Sequence, residues 1–243
     1  MDPTVKGAWI ELAPGYAGYL SLPPAGRGPG LLLLQEIFGV NEHIRAVAEQ
    51  YALDGFVVLA PDLFWRQAPR VALGYEGADM AQARSLMQAY TAEQAIADIG
   101  VAARALRGRA ELGGSPPARI GGSIEARIGA LGYCMGGRMA WLAAATAGVD
   151  AAVAYYGGGL HLQLDRAASV RCPMLFHYAG HDDNIPPEAV ESVRRALPST
   201  QAEVHVYAPA HHGFNCWARA SYHAPSAALA HGRTLAFLAT HLF

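Results

Sequence analysis

Leu131-Gly132-Tyr133-Cys134-Met135-Gly136-Gly137 joins an apolar, strand-like run, Ile128 to Leu131, to an Ala-rich helical run, Met139 to Ala147. Strand, glycine-flanked turn and helix together are the layout of a nucleophile elbow, here with cysteine at its corner. A side chain at such a corner stands at the C-terminal edge of the strand, clear of the sheet. Gly132 and Gly136 flank it at two positions on either side, and they remove Cβ atoms that would keep strand and helix apart. The helix N-terminus supplies free N–H groups and a positive dipole end, which favour a thiolate and, during a reaction, an oxyanion. A buried cysteine in a Gly-rich β–α turn is the plain structural alternative. The rest of the chain has to decide between them.

The composition around this turn suits one globular α/β domain. A chain of 243 residues is long enough to bury roughly 70–75% of its unfolded surface. With 52% hydrophobic and 16% charged residues, it lies on the apolar side of average. A net charge of −2 and a pI near 6.5 argue against nucleic acid or an anionic membrane as partner. No apolar run approaches the roughly 20 residues that span a bilayer. The opening Met1-Asp2-Pro3-Thr4-Val5-Lys6 lacks the basic-then-apolar form of a signal peptide. Cys134, Cys172 and Cys216 are too scattered for a disulfide framework or a zinc-ligand pattern. A reduced, cytoplasmic protein is expected, with no resident metal or cofactor.

Strand-like and helix-like segments alternate along the chain. Trp9 to Leu12 and Tyr16 to Leu22 read as an opening pair of strands around Ala13-Pro14-Gly15. Leu31 to Gln35 and Phe56 to Ala60 suit strands buried on both faces. Between them a helix is expected from Asn41 or Glu42 to Leu53, with Gly55 as stop signal. Ala78 to Leu106 reads as a long helical region with a candidate break near Tyr90-Thr91, and Gly108 to Ala126 as a surface loop. Ile128 to Tyr133, Ala151 to Tyr156, Pro173 to Ala179 and Ala202 to Tyr207 follow as strands, and Ala224 to Leu242 as a closing helix. Strands spaced by helical patterns imply right-handed crossovers and a mostly parallel sheet. No composition shift marks a boundary, so residues 1–243 are expected to form a single domain.

Ligands collect at the C-terminal ends of strands in such a sheet. Those ends carry Gln35-Glu36, Asp62, Cys134, His181-Asp182-Asp183 and His211-His212. Nucleophile, then acid, then histidine is the chain order of the triad in the α/β-hydrolase fold. His212, followed by the small Gly213, is the candidate base, with His211 competing. A carboxylate after the strand Pro173 to Ala179 would accept the proton on Nδ1 of that histidine and fix its tautomer. Asp182 and Asp183 compete for that role, and Asp183 equally suits a turn cap before the helix near Pro187. Glu36 is the least expected residue, because a carboxylate ending an apolar strand is costly to bury alone. It serves either as a second acid or base beside the thiol or as a structural partner of Arg45 or a backbone amide. The backbone at Ile37-Phe38 lies where this fold supplies an oxyanion N–H, alongside that of Met135.

Five motifs in this order resemble those of the dienelactone hydrolase (carboxymethylenebutenolidase) family. They are Gln35-Glu36-Ile37-Phe38-Gly39-Val40-Asn41, Gly132-Tyr133-Cys134-Met135-Gly136-Gly137, Tyr155-Tyr156-Gly157, His177-Tyr178-Ala179-Gly180-His181-Asp182 and His212-Gly213-Phe214. The resemblance covers about Leu31 to Phe214. It implies a compact α/β-hydrolase without a large cap domain and with a Cys-Asp-His triad. Mapped onto this chain, Cys134 is the nucleophile, His212 base and acid, Asp182 its orienter, and Glu36 the group that takes the thiol proton when substrate binds. Met135 and Ile37 would donate the oxyanion N–H groups. The resemblance also implies arginines that hold a substrate carboxylate, one on the helix after the second central strand and one four residues past the catalytic histidine. The latter position is Cys216 here, Arg84 lies near the former, and Arg219 is the alternative. That departure puts dienelactone itself in doubt as a substrate.

The expected activity is cleavage of a small ester, lactone or thioester through an acyl-enzyme, with Phe38, Arg84, Tyr155 and Cys216 as candidate substrate contacts. Phe64, Trp65, Trp217 and Tyr222 are further aromatic candidates for the pocket wall. A small-molecule partner and a monomer or weak dimer are expected. A non-catalytic binding member of the same fold would keep the pocket and lose the chemistry. A metal hydrolase built on His181, Asp182, His211 and His212 lacks any ligand spacing to support it.

Overall fold

The computed structural model describes residues 5, 7–113, 126–198 and 200–243. Among these residues, eight strands form a single sheet: β1 (Ala8–Ala13), β2 (Tyr16–Ser21), β3 (Gly30–Leu34), β4 (Val57–Pro61), β5 (Ile128–Tyr133), β6 (Ala151–Tyr155), β7 (Met174–His181) and β8 (Ala202–His211). Their spatial order is β1-β2-β4-β3-β5-β6-β7-β8. The opening hairpin β1–β2 attaches antiparallel to β4, and every other pairing is parallel. This is the mostly parallel α/β-hydrolase sheet, without a large cap among the described residues.

The central strands are buried along their whole length, β3 as Gly30-Leu31-Leu32-Leu33-Leu34 and β5 as Ile128 to Tyr133. Both faces are covered by helices, so these strands read as continuous apolar runs rather than alternating ones. Helix α1 (Glu42–Leu53) and the C-terminal α6 (Ala224–Leu242) pack on one face. On the other lie α3 (Ala92–Arg107), α4 (Met135–Thr146), a 3-10 segment at Leu160–Ser169 and α5 (Pro187–Ala196).

The long helical region is interrupted where the sequence suggested. Helix α2 (Gly77–Ala89) ends before Tyr90, and Thr91 opens α3 with a reciprocal cap. The Thr91 side chain accepts from Gln94 N, and Gln94 Oε1 accepts from Thr91 N. Strands β7 and β8 run further than their apolar patterns, ending at His181 and His211, which pair with each other beyond a bulge after Ala179. Most of the loop expected over Gly108 to Ala126 lies outside the described residues. Its start pairs with the chain just before β3, in an isolated bridge between Gly28 and Leu112. No helix among the described residues is long and apolar enough to cross a membrane.

Candidate active site

Cys134 sits between β5 and α4 with φ 55° and ψ −115°, a region that non-glycine residues seldom occupy. The approach of the flanking backbones explains the glycines. A Cβ on Gly132 would collide with the carbonyl of Gly136, and one on Gly136 with the carbonyl of Leu34 on the neighbouring strand. The thiol is half-buried and faces a cavity of about 480 Å³.

His212 follows β8, and its Nδ1 lies 2.8 Å from Asp182 Oδ2. Asp182 follows β7, and its other oxygen accepts from Asn184 N at 2.9 Å. Its side chain is almost wholly buried, whereas that of His212 remains 14% exposed toward the cavity. Burial alone would lower the pKa of this imidazole. The Asp182 carboxylate bonded to it and the Cys134 sulfur beside it outweigh burial and push it up to about 10. His181 and His211 are exposed at the paired strand ends, their ring centroids 5.4 Å apart. Asp182 is bonded to His212 rather than pooled with them as a metal ligand set.

Glu36 is buried just beyond β3, and its Oε1 accepts from Arg219 Nη1 at 3.2 Å. Arg45 is not its partner; that guanidinium donates to the carbonyl of Val40. Burial raises the Glu36 pKa, opposed by the charges of Arg219 and His212. The Arg219 guanidinium also lies 5.7 Å from the Phe38 ring centroid and 5.9 Å from that of Tyr75. Gly213, with φ +81°, has no side chain because a Cβ there would strike that guanidinium.

Ile37 and Met135 both line the cavity. Met135 opens α4, where first-turn N–H groups have no intrahelical acceptor. Helix α2 forms one wall through Met80, Arg84, Met87 and Gln88, positions that share one helical face. Of the expected substrate contacts, Phe38 and Arg84 reach the cavity. Tyr155 and Cys216, expected as contacts, do not. The Tyr155 hydroxyl is held by Thr234 at 2.7 Å inside the core, and Cys216 is fully buried behind the wall with its thiol directed at Tyr75. Phe64 is core as well, while Trp217 and Tyr222 are exposed elsewhere on the surface.

Arg138 was missed. It lies one turn into α4 from Cys134, lines the cavity and has a buried Nε without a partner among the described residues. Helical spacing from the nucleophile was the signal that would have found it. Arg84, Arg138 and Arg219 therefore border the cavity, and no carboxylate is among its lining residues.

The family described as the dienelactone hydrolase family matches residues 16–242. A carboxymethylenebutenolidase of Pseudomonas putida is 34% identical over 226 residues, covering 92% of this chain and 91% of that protein. Another, from Pseudomonas sp. (strain P51), is 32% identical, covering 92% and 89%. A Klebsiella pneumoniae structure assigned to the dienelactone hydrolases superposes with a TM-score of 0.80 at 32% identity, covering 98% of this chain and 99% of that one. A dienelactone hydrolase-like promiscuous phosphotriesterase from metagenomic libraries, 20% identical with a TM-score of 0.78 and 99% of each chain covered, shares the fold. A match from β2 to the end of α6, over a sheet that carries the elbow and the His212–Asp182 pair at its rim, makes the conclusion direct: this chain belongs to the dienelactone hydrolase family.

Proposed function

We propose that the protein hydrolyses small carboxylic esters or lactones, thioesters included, by forming an acyl-enzyme on Cys134. The observation that carries this reading is the His212–Asp182 contact of 2.8 Å beside the elbow thiol, at the mouth of a cavity sized for a small molecule. With Nδ1 held by Asp182, His212 has Nε2 free for proton transfer. The thiol proton passes to Glu36, whose proton affinity burial raises, while His212, its own affinity raised by Asp182, stands by as imidazolium. The sulfur then attacks the substrate carbonyl carbon, and the oxyanion accepts from the N–H groups of Met135 and Ile37. Imidazolium protonates the departing alkoxide or thiolate. A water deprotonated by His212 next attacks the thioester, and breaking its C–S bond returns the acid and the thiol.

Arg84 and Arg138 border the cavity without a carboxylate partner among the described residues, whereas Arg219 is paired with Glu36. The guanidinium groups of Arg84 and Arg138 favour substrates carrying a carboxylate of their own. The test is hydrolysis of p-nitrophenyl acetate together with alkylation by iodoacetamide. Cys134→Ala should abolish turnover and remove the most rapidly alkylated site. Unchanged turnover in that variant ends the acyl-enzyme reading.

A further inference from the structure

The strand order divides the cavity into two banks, because Cys134 follows β5 and β5 lies between β3 and β6. On one bank stand Ile37 and Phe38, just beyond β3, and the wall formed by α2. Gln67, beyond β4, ties α2 to that side by donating to the Leu86 carbonyl at 3.1 Å. On the other bank stand Gly158 and Gly159 beyond β6, Asn184 beyond β7 and His212 beyond β8. Arg138 belongs to this second bank. A Cβ on Gly157 would lie 3.1 Å from its backbone N, and one on Gly159 would lie 3.0 Å from its Nη1. Gly159, at φ +75°, thus leaves the guanidinium room that a side chain would press upon.

Arg138 Nε is buried without a partner among the described residues. Burial lowers the pKa of this guanidinium, opposed by the nearby Cys134 sulfur. A guanidinium stays charged in a protein, so one stripped of water and left with free donors gains more from an anion than an exposed one does. Arg84 is exposed, and Arg219 is drawn to the first bank by Glu36. Arg138 is therefore the cation on the side of His212 that is free to hold a ligand.

We infer that Arg138 receives a carboxylate on the leaving half of the substrate, which makes the substrates esters of hydroxy acids or thioesters of mercapto acids. The inference rests on the acyl-enzyme reaction of Cys134. In that reaction the oxyanion accepts from the N–H groups of Ile37 and Met135, and His212 on the opposite bank protonates the departing atom. As the tetrahedral intermediate collapses, the bond from carbon to that oxygen or sulfur breaks. The electron pair stays on the departing atom, which takes the proton from Nε2. That atom therefore lies within hydrogen-bond reach of His212, and whatever it carries lies on the bank of Arg138. A planar guanidinium offers a carboxylate two parallel N–H bonds, and Asn184 adds an amide along the same bank. Arg84, across the cavity on α2, faces the acyl half instead.

The test compares esters matched but for one charge, each corrected for its uncatalysed rate. 4-Acetoxybenzoate carries a carboxylate on the leaving phenol, and its methyl ester is the neutral counterpart. The phenyl monoester of glutaric acid carries one on the acyl half, with phenyl methyl glutarate as counterpart. The unsubstituted protein should show a higher kcat/KM for 4-acetoxybenzoate than for its methyl ester. Absence of that preference overturns the inference with no variant having to fold. Arg138→Met should shrink the preference about 10–100-fold, the worth of a hydrogen bond to a charged group, and Arg138→Lys should shrink it less. The preference for the glutarate monoester should follow Arg84→Met instead. Equal loss of both preferences in Arg138→Met reveals a diffuse field rather than a subsite, and overturns the inference as well. Calorimetry of 4-hydroxybenzoate on the Cys134→Ala protein reads the site without turnover, and adding Arg138→Met should weaken binding by about 10-fold or more. Binding that depends on Arg138 without hydrolysis of any ester overturns the acyl-enzyme reading and leaves the carboxylate site standing. Hydrolysis without dependence on Arg138 overturns the site alone.

Discussion

At the residue scale the decisive group is His212, whose imidazole is held between a buried carboxylate and a thiol. Its folded pKa, about 10, lies above its ordinary value of 6.5. A raised value means that the folded state binds the proton more tightly than the unfolded one. The stabilisation is therefore full below about 6.5 and is lost as pH rises through about 10. Asp182→Asn should accordingly lower the melting temperature most near pH 6 and least near pH 10, as read by thermal melts across that range. The same variant should lower kcat by about 10³–10⁴-fold, because an amide favours the wrong tautomer. Chain order and strand ends brought the reading of this group down to Cys134, Asp182 or Asp183, and His211 or His212, and the contact between Asp182 and His212 is the pairing that the family resemblance favoured. The Glu36–Arg219 pair was not legible in the sequence, because it joins residues 183 positions apart across a loop whose path no local pattern records.

At the scale of elements, α2 is the outlier. Only Ala83 and Leu86 are buried in it, yet one of its faces forms a wall of the cavity. A helix with so little buried surface opens more readily than the core around it. Its amides should exchange with deuterium well before those of β5 and α4, and slow when an anionic substrate analogue fills the cavity. Arg84→Ala should raise KM for an anionic ester several-fold and leave a neutral ester nearly untouched, since an exposed charge contributes mainly to steering and recognition. The break before α3 was readable because Thr91 and Gln94 spell a capping box. Thr91→Ala should cost about 0.5–2 kcal/mol in denaturant unfolding. The full reach of β8 was hidden by Ala208-Pro209-Ala210-His211. Proline argues against a central strand, but β8 is an edge, where a missing N–H need not break a ladder.

Across the whole molecule, the order of strands and helices could be read from hydrophobic runs and their punctuation, and that order carries the site. The polar ties through the core could not. His177, fully buried on β7, bonds Tyr207 Oη through Nδ1 at 2.9 Å and Thr234 Oγ1 through Nε2 at 3.0 Å, and Thr234 also holds the Tyr155 hydroxyl. This chain of bonds pins α6 to three strands, yet each member alone resembles an ordinary core or surface residue. Thr234→Val keeps the shape and leaves two buried groups short of a partner. It should destabilise the protein by about 1–3 kcal/mol per orphaned group, measured as a lower denaturant midpoint with an unchanged slope.

The left-handed backbone at Cys134 carries a cost that the molecule bears permanently. Such conformations cost about 1–3 kcal/mol for a residue with a side chain, and glycine would relieve most of it. A Cys134→Gly chain should therefore melt at a temperature no lower than the parent while performing no chemistry. Robustness and reactivity are opposed at a single atom, and a descendant freed from its substrate would find greater durability one substitution away.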